Sequence, residues 1–549
     1  MNGTETKKDT LSFGMYVYLL FLAVLTACGD AFFRGDTNGA AALAAKILIY
    51  SFLFYAFFLL AEKALASLQE PAERHGWYQA FQYNWKNILR ISLLLFAVYF
   101  AYLLVFYPGA TTGDTVYQIE DLFTGTSPIA YPVNYGHTKV QALMIDHHPV
   151  TTTLIFTFFY RIGLLLGDAN IGLFLYNLLQ SACMSILFAS IVCYMDSLGI
   201  PKPIALISTV FYASPVVASY AVTMGKDMLF SFWFVLYYLV FFRIATNPND
   251  EGSEKKQWVL LAVLSVLIAL MNKKGMYLAL VSNLCLLLVV PGKMKISAVV
   301  SALLPVFILT VVMQQILFPL LNIMPGGKQE VLGTAFQQTA LSLIEHPEKY
   351  TEGEKQLFFT ILECSPEELA EVYSPTCTDP VKNRFRLETD NSVILSYLKM
   401  WARHFICEPG TYIRAIFSVN GGYYAPLKGF NVYQYVPYSE VLNAFSQPDR
   451  TASLRITLGA FLAWLENIPA FSVFCQDSFY SFWYPAFSLY LFCKKKQRRK
   501  IVLLVPFAGN LLFLTIGPLC YTRYALCQIY TFPVLLAVTA GAVQEKKEE

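Results

Sequence analysis

The feature that most constrains this chain is a series of apolar runs, each about 15–25 residues long, that recurs along most of its length. A helix of roughly 20 apolar residues spans the hydrocarbon core of a bilayer. Of the 549 residues, 56% are hydrophobic and 14% are charged, whereas soluble domains carry roughly 25% charged residues. Because a soluble fold must wet its surface, it cannot absorb that apolar excess. We therefore expect an all-α polytopic membrane protein.

Twelve of these runs are candidate transmembrane helices, and basic loops orient them. The runs lie at about 13–30, 41–61, 90–107, 170–195, 203–221, 227–243, 257–270, 276–290, 296–318, 478–494, 501–517 and 524–541. Two further runs, about 150–166 and 453–468, are short and contain arginines near or inside them. Cytoplasmic loops are enriched in Lys and Arg. If both short runs are juxtamembrane helices on the outer face, then the basic loops 62–89, 244–256 and 495–500 all fall inside. Both termini then lie in the cytoplasm, and we predict a multi-pass membrane protein.

The chain divides into four predicted parts. Residues 1–89 form an added pair of helices with a cytoplasmic loop, and residues 90–318 form a membrane core whose first outer loop is 108–169. Residues 319–477 are charge-rich up to about 452 and show helix caps and turn signals, which predicts a mainly helical extracytoplasmic insertion followed by an interfacial helix. Residues 478–549 return to membrane helices.

The first outer loop holds candidate catalytic and binding residues. Asp114 follows closely after the end of an apolar run, where a carboxylate can act as a general base, although loop carboxylates are often simply solvated. Gln118 lies one helical turn later. His147 and His148 precede Pro149, so they either face a polar cleft and bind phosphate or a sugar hydroxyl, or mark the start of a helix. We assign Asp121, in the same loop, to solvent.

Cations recur in the other short loops of the predicted outer face, where the charge bias disfavours them. Close to hydrocarbon, a charge is costly unless it is paired or lies in a wet cavity. These cations are therefore candidates for binding phosphate, and the alternatives are mutual pairing, a local error in topology, or interfacial anchoring. The candidates and their neighbours are Lys226, Asp227, Lys273, Lys274, Arg523 and Tyr524.

Composition also limits cofactors and partners. The net charge is +3, which gives no reason to expect nucleic acid as a partner. No Cys/His spacing is typical of a zinc site, so we predict no particular cofactor and leave a divalent metal open.

The order of these motifs resembles the GT-C glycosyltransferases, a superfamily that includes protein O-mannosyltransferases and lipid A aminoarabinose transferases. A helix ending in Pro108-Gly109 is followed by Asp114, and His148-Pro149 opens a juxtamembrane helix. The chain then shows an outer Lys-Asp pair, an Asn-Lys-Lys-Gly-Met-Tyr turn at 272–277 and a C-terminal Arg-Tyr pair. More closely, residues 90–541 resemble a Gram-positive bacterial family of that clan described as a domain of unknown function. The segments of the insertion that carry this match are 337–339, 373–375, 379–382, Trp401 and 420–426.

The resemblance implies a GT-C-like catalytic core with Asp114 as catalytic residue and Lys226 and Arg523 near the donor phosphate. The chain departs from the superfamily in having no acidic pair at Asp114, and Asn272 stands where relatives often have Arg. The implied function is transfer of a sugar from a polyprenyl-phosphate donor to an acceptor of the cell envelope, which is a glycan, a lipid or a protein. The alternatives are a transporter or flippase of a lipid-linked or anionic substrate, and a non-catalytic scaffold in contact with membrane lipids.

Overall fold

A computed structural model describes residues 13–36, 39–68, 76–124, 142–247, 254–427, 429–432 and 445–544. The described chain is almost entirely helical, as the apolar runs predict. From the N-terminus to the insertion, the helices are α1 Phe13–Phe33, α2 Ala40–Ser67, α3 Trp85–Val105, α4 Gly113–Thr124, α5 Val150–Leu165, α6 Ala169–Ser197, α7 Lys202–Tyr212, α8 Pro215–Ala221, α9 Lys226–Thr246, α10 Glu254–Met271, α11 Lys274–Cys285, α12 Lys295–Phe307 and α13 Phe318–Leu320.

Among the described residues, seven helices are long and apolar enough to cross a membrane, or eight if a bent pair counts as one span. The seven are α1, α2, α3, α6, α9, the continuous stretch Gly292–Leu320 that contains α12 and α13, and the C-terminal helix Thr522–Gln544. The bent pair is α7 with α8, which meet at 54°. The bend falls at Ser214-Pro215, because proline excludes the residue before it from helical geometry. The chain is thus an all-α membrane protein.

The other predicted spans are shorter or more polar helices, so the number twelve stays a prediction. The first turn of α10 carries Lys255 and Lys256, and α11 continues only through a 3₁₀ turn to Leu288. The two predicted juxtamembrane helices are α5 and a helix at Ala452–Glu466 on which no residue is buried.

The predicted insertion folds around a hydrophobic core of its own. Its helices are α14 Gln329–Glu345, α15 Glu352–Ile361, α16 Pro366–Val372, α17 Asp379–Lys382, α18 Asn391–Cys407 and α19 Pro409–Asn420. Phe336, Phe358 and Tyr397 lie at the centre of this core and are completely buried. Thr351 and Ser365 precede α15 and α16 in capping boxes: each hydroxyl accepts a hydrogen bond from a backbone N–H of the helix, and a glutamate carboxylate accepts one from the backbone N–H of the cap residue. Its side of the membrane stays a prediction.

After the insertion come α20 Ala452–Glu466, α21 Pro469–Ser472, α22 Tyr484–Lys494, α23 Arg498–Ile501, α24 Val505–Thr515 and α25 Thr522–Gln544. Of these, α22, α24 and α25 contribute buried residues to the main hydrophobic core. Two very short parallel strand pairs join distant loops. Strand β1 Ala110–Thr111 pairs with β3 Thr223–Met224, in the register Ala110 to Thr223. Strand β2 Met144–Asp146 pairs with β4 Ile323–Pro325, in the register Met144 to Ile323. Both pairs lie in the predicted outer loops and position the candidate site.

Candidate active site at the loop end of the bundle

The pairing of β1 with β3 brings Asp114 to Lys226. Asp114 is the second residue of α4, three residues after β1, and Lys226 begins α9 two residues after β3, so the pairing sets the two helix starts side by side. The chain enters β1 through Gly109, whose φ of +113° favours glycine. A Cβ at this position would also collide with the side chain of Asn177. The first outer loop is therefore held at the start of α9.

Asp114 is shared between two cations. The Lys226 ammonium donates to one Asp114 oxygen at 2.7 Å, and the Arg523 guanidinium lies 3.4 Å from both oxygens. Burial by itself would raise the pKa of the Asp114 carboxyl, but Arg523 and Lys226 outweigh burial and hold the pKa well below its usual range. The Asp114 side chain is nevertheless 23% exposed. Asp114 is thus an ionised carboxylate that a small ligand can still reach.

Asp227 is a second acidic neighbour of Arg523. Its buried carboxylate lies 3.7 Å from Arg523 Nε and accepts a hydrogen bond from the Asn272 amide at 3.1 Å. Arg523 also donates to the Tyr524 hydroxyl at 2.9 Å. We refer to Asp114, Lys226, Asp227 and Arg523 as the Asp114 cluster. Its two acids and two bases neutralise one another, so the cations are positioned before any ligand arrives.

His148 adds a neutral imidazole to the cluster. Its Nδ1 lies 2.8 Å from the Lys226 ammonium, which can only donate, so Nδ1 accepts and the ring proton is on Nε2. Burial, followed by the charge of Lys226, keeps the pKa of His148 well below its usual range, so the ring stays neutral. His148 is 5% exposed, and its buried Nε2 has no hydrogen-bond partner among the described residues. An N–H group beside Lys226 is therefore ready for an acceptor.

Gln118 has a buried side-chain oxygen that can accept a hydrogen bond from a ligand. Its amide nitrogen donates to the hydroxyls of Thr152 and Thr153 at 2.8 and 2.9 Å. Both hydroxyls in turn donate to the Pro149 carbonyl, so the amide orientation is determined and Gln118 Oε1 remains a buried acceptor without a partner in the described chain. Because α4 carries Asp114 and Gln118 one turn apart, a hydroxyl group at Asp114 can also meet this oxygen.

The pairing of β2 with β4 connects His147 to the insertion. His147 Nδ1 lies 3.6 Å from Glu330 in the first turn of α14, and its ring packs edge-on against His148 at 4.4 Å between centroids. Burial lowers the pKa of His147 to about 4. Glu330 in turn forms an ion pair with Lys382 at 2.9 Å. Burial works against the charge of Lys382, but Glu330 and then Asp379 more than compensate and raise its pKa. Sequence reasoning did not select Glu330, and it cited Lys382 only as part of segment 379–382 of the resemblance, because nothing local relates these residues to the Asp114 loop.

Lys273 and Lys274 diverge from their shared turn. Lys274 donates to the Tyr524 carbonyl at 3.0 Å and lies 5.0 Å from the ring centre of Phe230, so it supports the start of α25. Lys273 instead forms an ion pair with Asp146 at 2.9 Å. Beside this pair is a cavity of about 170 Å³, whose walls include Tyr277, Leu309 and Met313. The cavity thus combines an ion pair with apolar wall residues from the stretch Gly292–Leu320, which is long and apolar enough to cross a membrane.

The burial of Asp121 differs from the prediction. The sequence assigns it to solvent, but the residue is partly buried on α4. Burial, and then the neighbouring charge of Glu120, raise the pKa of Asp121 to about 7. A carboxyl with that pKa is a second candidate for proton transfer, and its properties are opposite to those of Asp114.

The site therefore brings together Asp114, Lys226, Asp227, Arg523, Tyr524 and His148, with Gln118 and His147 at its edges. The side chains of Lys273 and Lys274 bind Asp146 and the Tyr524 carbonyl, beside the cluster rather than within it. Among the described residues, no group of three His, Cys, Asp or Glu side chains is placed to hold a metal ion. A carboxylate, two fixed cations and a neutral N–H donor can bind a phosphate group and take a proton from a hydroxyl.

Comparison with known proteins gives one match. The model of a family described as a family of unknown function (DUF6020) matches residues 7–549. No curated protein and no solved structure matches the chain. The match includes the whole Asp114 cluster and the insertion.

Proposed function

The chain belongs to the family of unknown function DUF6020, and we propose that it transfers a sugar from a polyprenyl-phosphate donor to a cell-envelope acceptor. The proposal is a GT-C-type glycosyltransferase with twelve membrane spans, located in a bacterial plasma membrane with both termini in the cytoplasm. The site then faces the outer side.

The observation that carries the proposal is the sharing of Asp114 between Lys226 and Arg523. These cations come from the starts of two different helices, 112 and 409 residues away in the chain. The starts of helices also favour anions, because unpaired backbone N–H groups point outwards there. A phosphate can replace the carboxylate as the partner of these cations, since both are oxyanions of similar reach. Asp114 then becomes free to meet a hydroxyl.

The reaction uses these groups in distinct roles. Asp114 removes the proton of the acceptor hydroxyl, whose oxygen forms a bond to the anomeric carbon of the sugar. The bond between that carbon and the phosphate oxygen breaks, and the electron pair leaves with the lipid phosphate. Lys226 and Arg523 stabilise the negative charge that develops on the phosphate. The Nε2–H of His148 supplies a further hydrogen bond to a phosphate oxygen.

The cavity beside Lys273 suits the lipid part of such a donor. It lies next to Asp146, two residues before His148, and its apolar wall comes from a membrane-crossing stretch. A prenyl chain is apolar along its length, so its first units gain stabilisation from burial there while the phosphate remains at the cations. Tyr277, which also lines this cavity, is 48% exposed and available for contact with a ligand.

The test is an incubation of purified protein with a panel of radiolabelled prenyl-phosphate sugars and crude envelope acceptors. We expect one donor to release free prenyl phosphate as labelled sugar appears on an acceptor, and we expect Asp114→Asn to abolish both. A transporter gives a different result: in vesicles, the intact labelled lipid changes leaflet and keeps its sugar. That outcome, with no transfer from any donor, would reject the glycosyltransferase.

A further inference from the structure

A second charged cavity lies at the opposite end of the bundle from the Asp114 cluster. Lys495 donates to the carbonyl of Val543, which is 20 residues after Arg523 on α25. At 1.5 Å per helical residue, that separation is about 30 Å, the thickness of a bilayer core. Lys494 forms an ion pair at 2.9 Å with Glu62, in the last third of α2. The loop that joins α22 to α23 is therefore on the other membrane face.

This loop lines a cavity of about 670 Å³. Its cationic wall consists of Lys496, Arg498 and Arg499, and its apolar wall includes Leu288 and Val505. The three cations are exposed, and within the described parts of the chain no carboxylate forms an ion pair with any of them. Lys494 and Lys495 have partners. In the part of the chain that the structure describes, the charge of the other three cations is therefore not neutralised by an ion pair, and it lies beside apolar surface.

The backbone holds this group in an uncommon conformation. Lys496 has a φ of +60°, in the left-handed region that residues with a Cβ adopt at a cost. The turn directs the chain so that residues on both sides of Gln497 face one cavity. Lysine is not the residue that such a backbone favours, which is consistent with a role for its side chain.

We propose that this cavity binds the headgroup of an anionic phospholipid, independently of the proposed sugar transfer. The phosphodiester would contact Lys496, Arg498 and Arg499, and the first acyl carbons would pack on Leu288 and Val505. Arginine suits phosphate because its planar fork donates two parallel hydrogen bonds. Basic cavities between helix ends on the cytoplasmic side are suited to such headgroups. The occupant is a lipid rather than free phosphate, because most of the wall is apolar.

The test is native mass spectrometry of the full-length protein in detergent, titrated with phosphatidylglycerol or phosphatidylcholine. We expect phosphatidylglycerol to be retained in preference. Arg498→Ala/Arg499→Ala should weaken it roughly 30-fold, at about fivefold for each cation near an anionic surface. Lys496→Gly should weaken it about fivefold while keeping the turn, since glycine accepts this φ. Arg498→Gln/Arg499→Gln, which retains polar side chains, provides a second variant if the alanine protein does not fold.

The matched control is Lys63→Ala/Lys295→Ala, which removes two exposed cations outside the cavity. Equal loss in the control, or no preference for phosphatidylglycerol, would overturn the proposal. Displacement of the lipid by glycerol 3-phosphate at equal concentration would overturn the lipid assignment in favour of a soluble phosphate. Severalfold tighter lipid binding after neutralisation of the C-terminal acids would overturn the proposal and assign the cavity to the C-terminal segment instead. The variant that tests this outcome is Glu545→Gln/Glu548→Gln/Glu549→Gln.

Discussion

Replacement of Asp114 by Asn separates proton transfer from phosphate binding. Asn keeps the shape of the side chain but carries no charge and cannot accept the proton of a hydroxyl. Turnover should therefore fall by at least the roughly 10²–10⁴-fold typical of general-base catalysis. The structure adds a second and less obvious expectation, because Asp114 occupies the same two cations that the phosphate needs.

Binding of the lipid phosphate should become tighter in Asp114→Asn. In the free protein, a phosphate must displace the Asp114 contact with Lys226 at 2.7 Å and the longer one with Arg523 at 3.4 Å. A hydrogen bond to a charged group contributes about 1.5–3 kcal/mol. Removal of one such competitor should lower the dissociation constant for a prenyl monophosphate at least about tenfold. Asp114→Ala should show the same direction.

The assay measures geranylgeranyl phosphate binding by isothermal titration in detergent, and sugar transfer in a separate single-turnover experiment. Asp121→Asn is the matched control, because it neutralises another carboxyl of α4 without touching the cations. Weaker phosphate binding in Asp114→Asn would refute the idea that Asp114 and phosphate compete. Full turnover in Asp114→Asn, with loss in Asp121→Asn, would show that the base is Asp121.

The pH profile gives an independent answer to the same question. A carboxylate base works when deprotonated, and the pKa of Asp114 in the free protein is well below its usual range. If Asp114 is the base, kcat/KM should stay level as pH falls from 8 to 5. If Asp121 is the base, its pKa of about 7 makes kcat/KM fall about tenfold per pH unit below that value.

The remaining predictions concern phosphate contacts, acid stability and topology. Lys226→Ala and Arg523→Ala should each weaken prenyl phosphate binding by roughly 1.5–3 kcal/mol. Lys226→Arg should restore binding poorly, because the two cations differ in shape and reach. Unchanged binding in both alanine variants would favour interfacial anchoring instead. Folded His147 has a pKa of about 4, against 6.5 when exposed, so the unfolded chain binds the extra proton as pH falls from 6.5 to 4. That difference removes about 2 kcal/mol of stability by pH 5, and thermal unfolding of His147→Gln should lack this loss. In a cysteine-free background, a cysteine that replaces Thr351 should react with an impermeant thiol reagent in intact cells, whereas a cysteine that replaces Gln497 should not. The reverse labelling would show that the predicted topology is inverted. The matching position at residue 127 lies outside the described residues.

The amino-acid sequence by itself determines the membrane character and the location of the polar segments. Apolar runs such as 13–30 and 524–541 can be recognised locally, because a bilayer excludes unpaired charge over about 20 consecutive residues. The same rule makes isolated polar residues at helix ends conspicuous, and Asp114, Lys226 and Arg523 are selected on that basis. Short or charged helices such as α10 are neither long apolar runs nor isolated polar segments. For this reason twelve spans are predicted, whereas seven or eight are recognised among the described residues.

Tertiary structure alone decides which polar residues meet. Strand pairs of two or three residues, such as β1 with β3, leave no periodic signal in sequence, yet this one places Asp114 beside Lys226. The contact of His147 with Glu330 likewise depends on β2 and β4, which are far apart in the chain. The folded environment also gives two carboxyls of one helix different pKa values. The neighbouring cations lower the pKa of Asp114, whereas burial and the charge of Glu120 raise the pKa of Asp121. A charge's neighbours and its exposure to water are properties of the folded chain, so no local pattern of residues contains them.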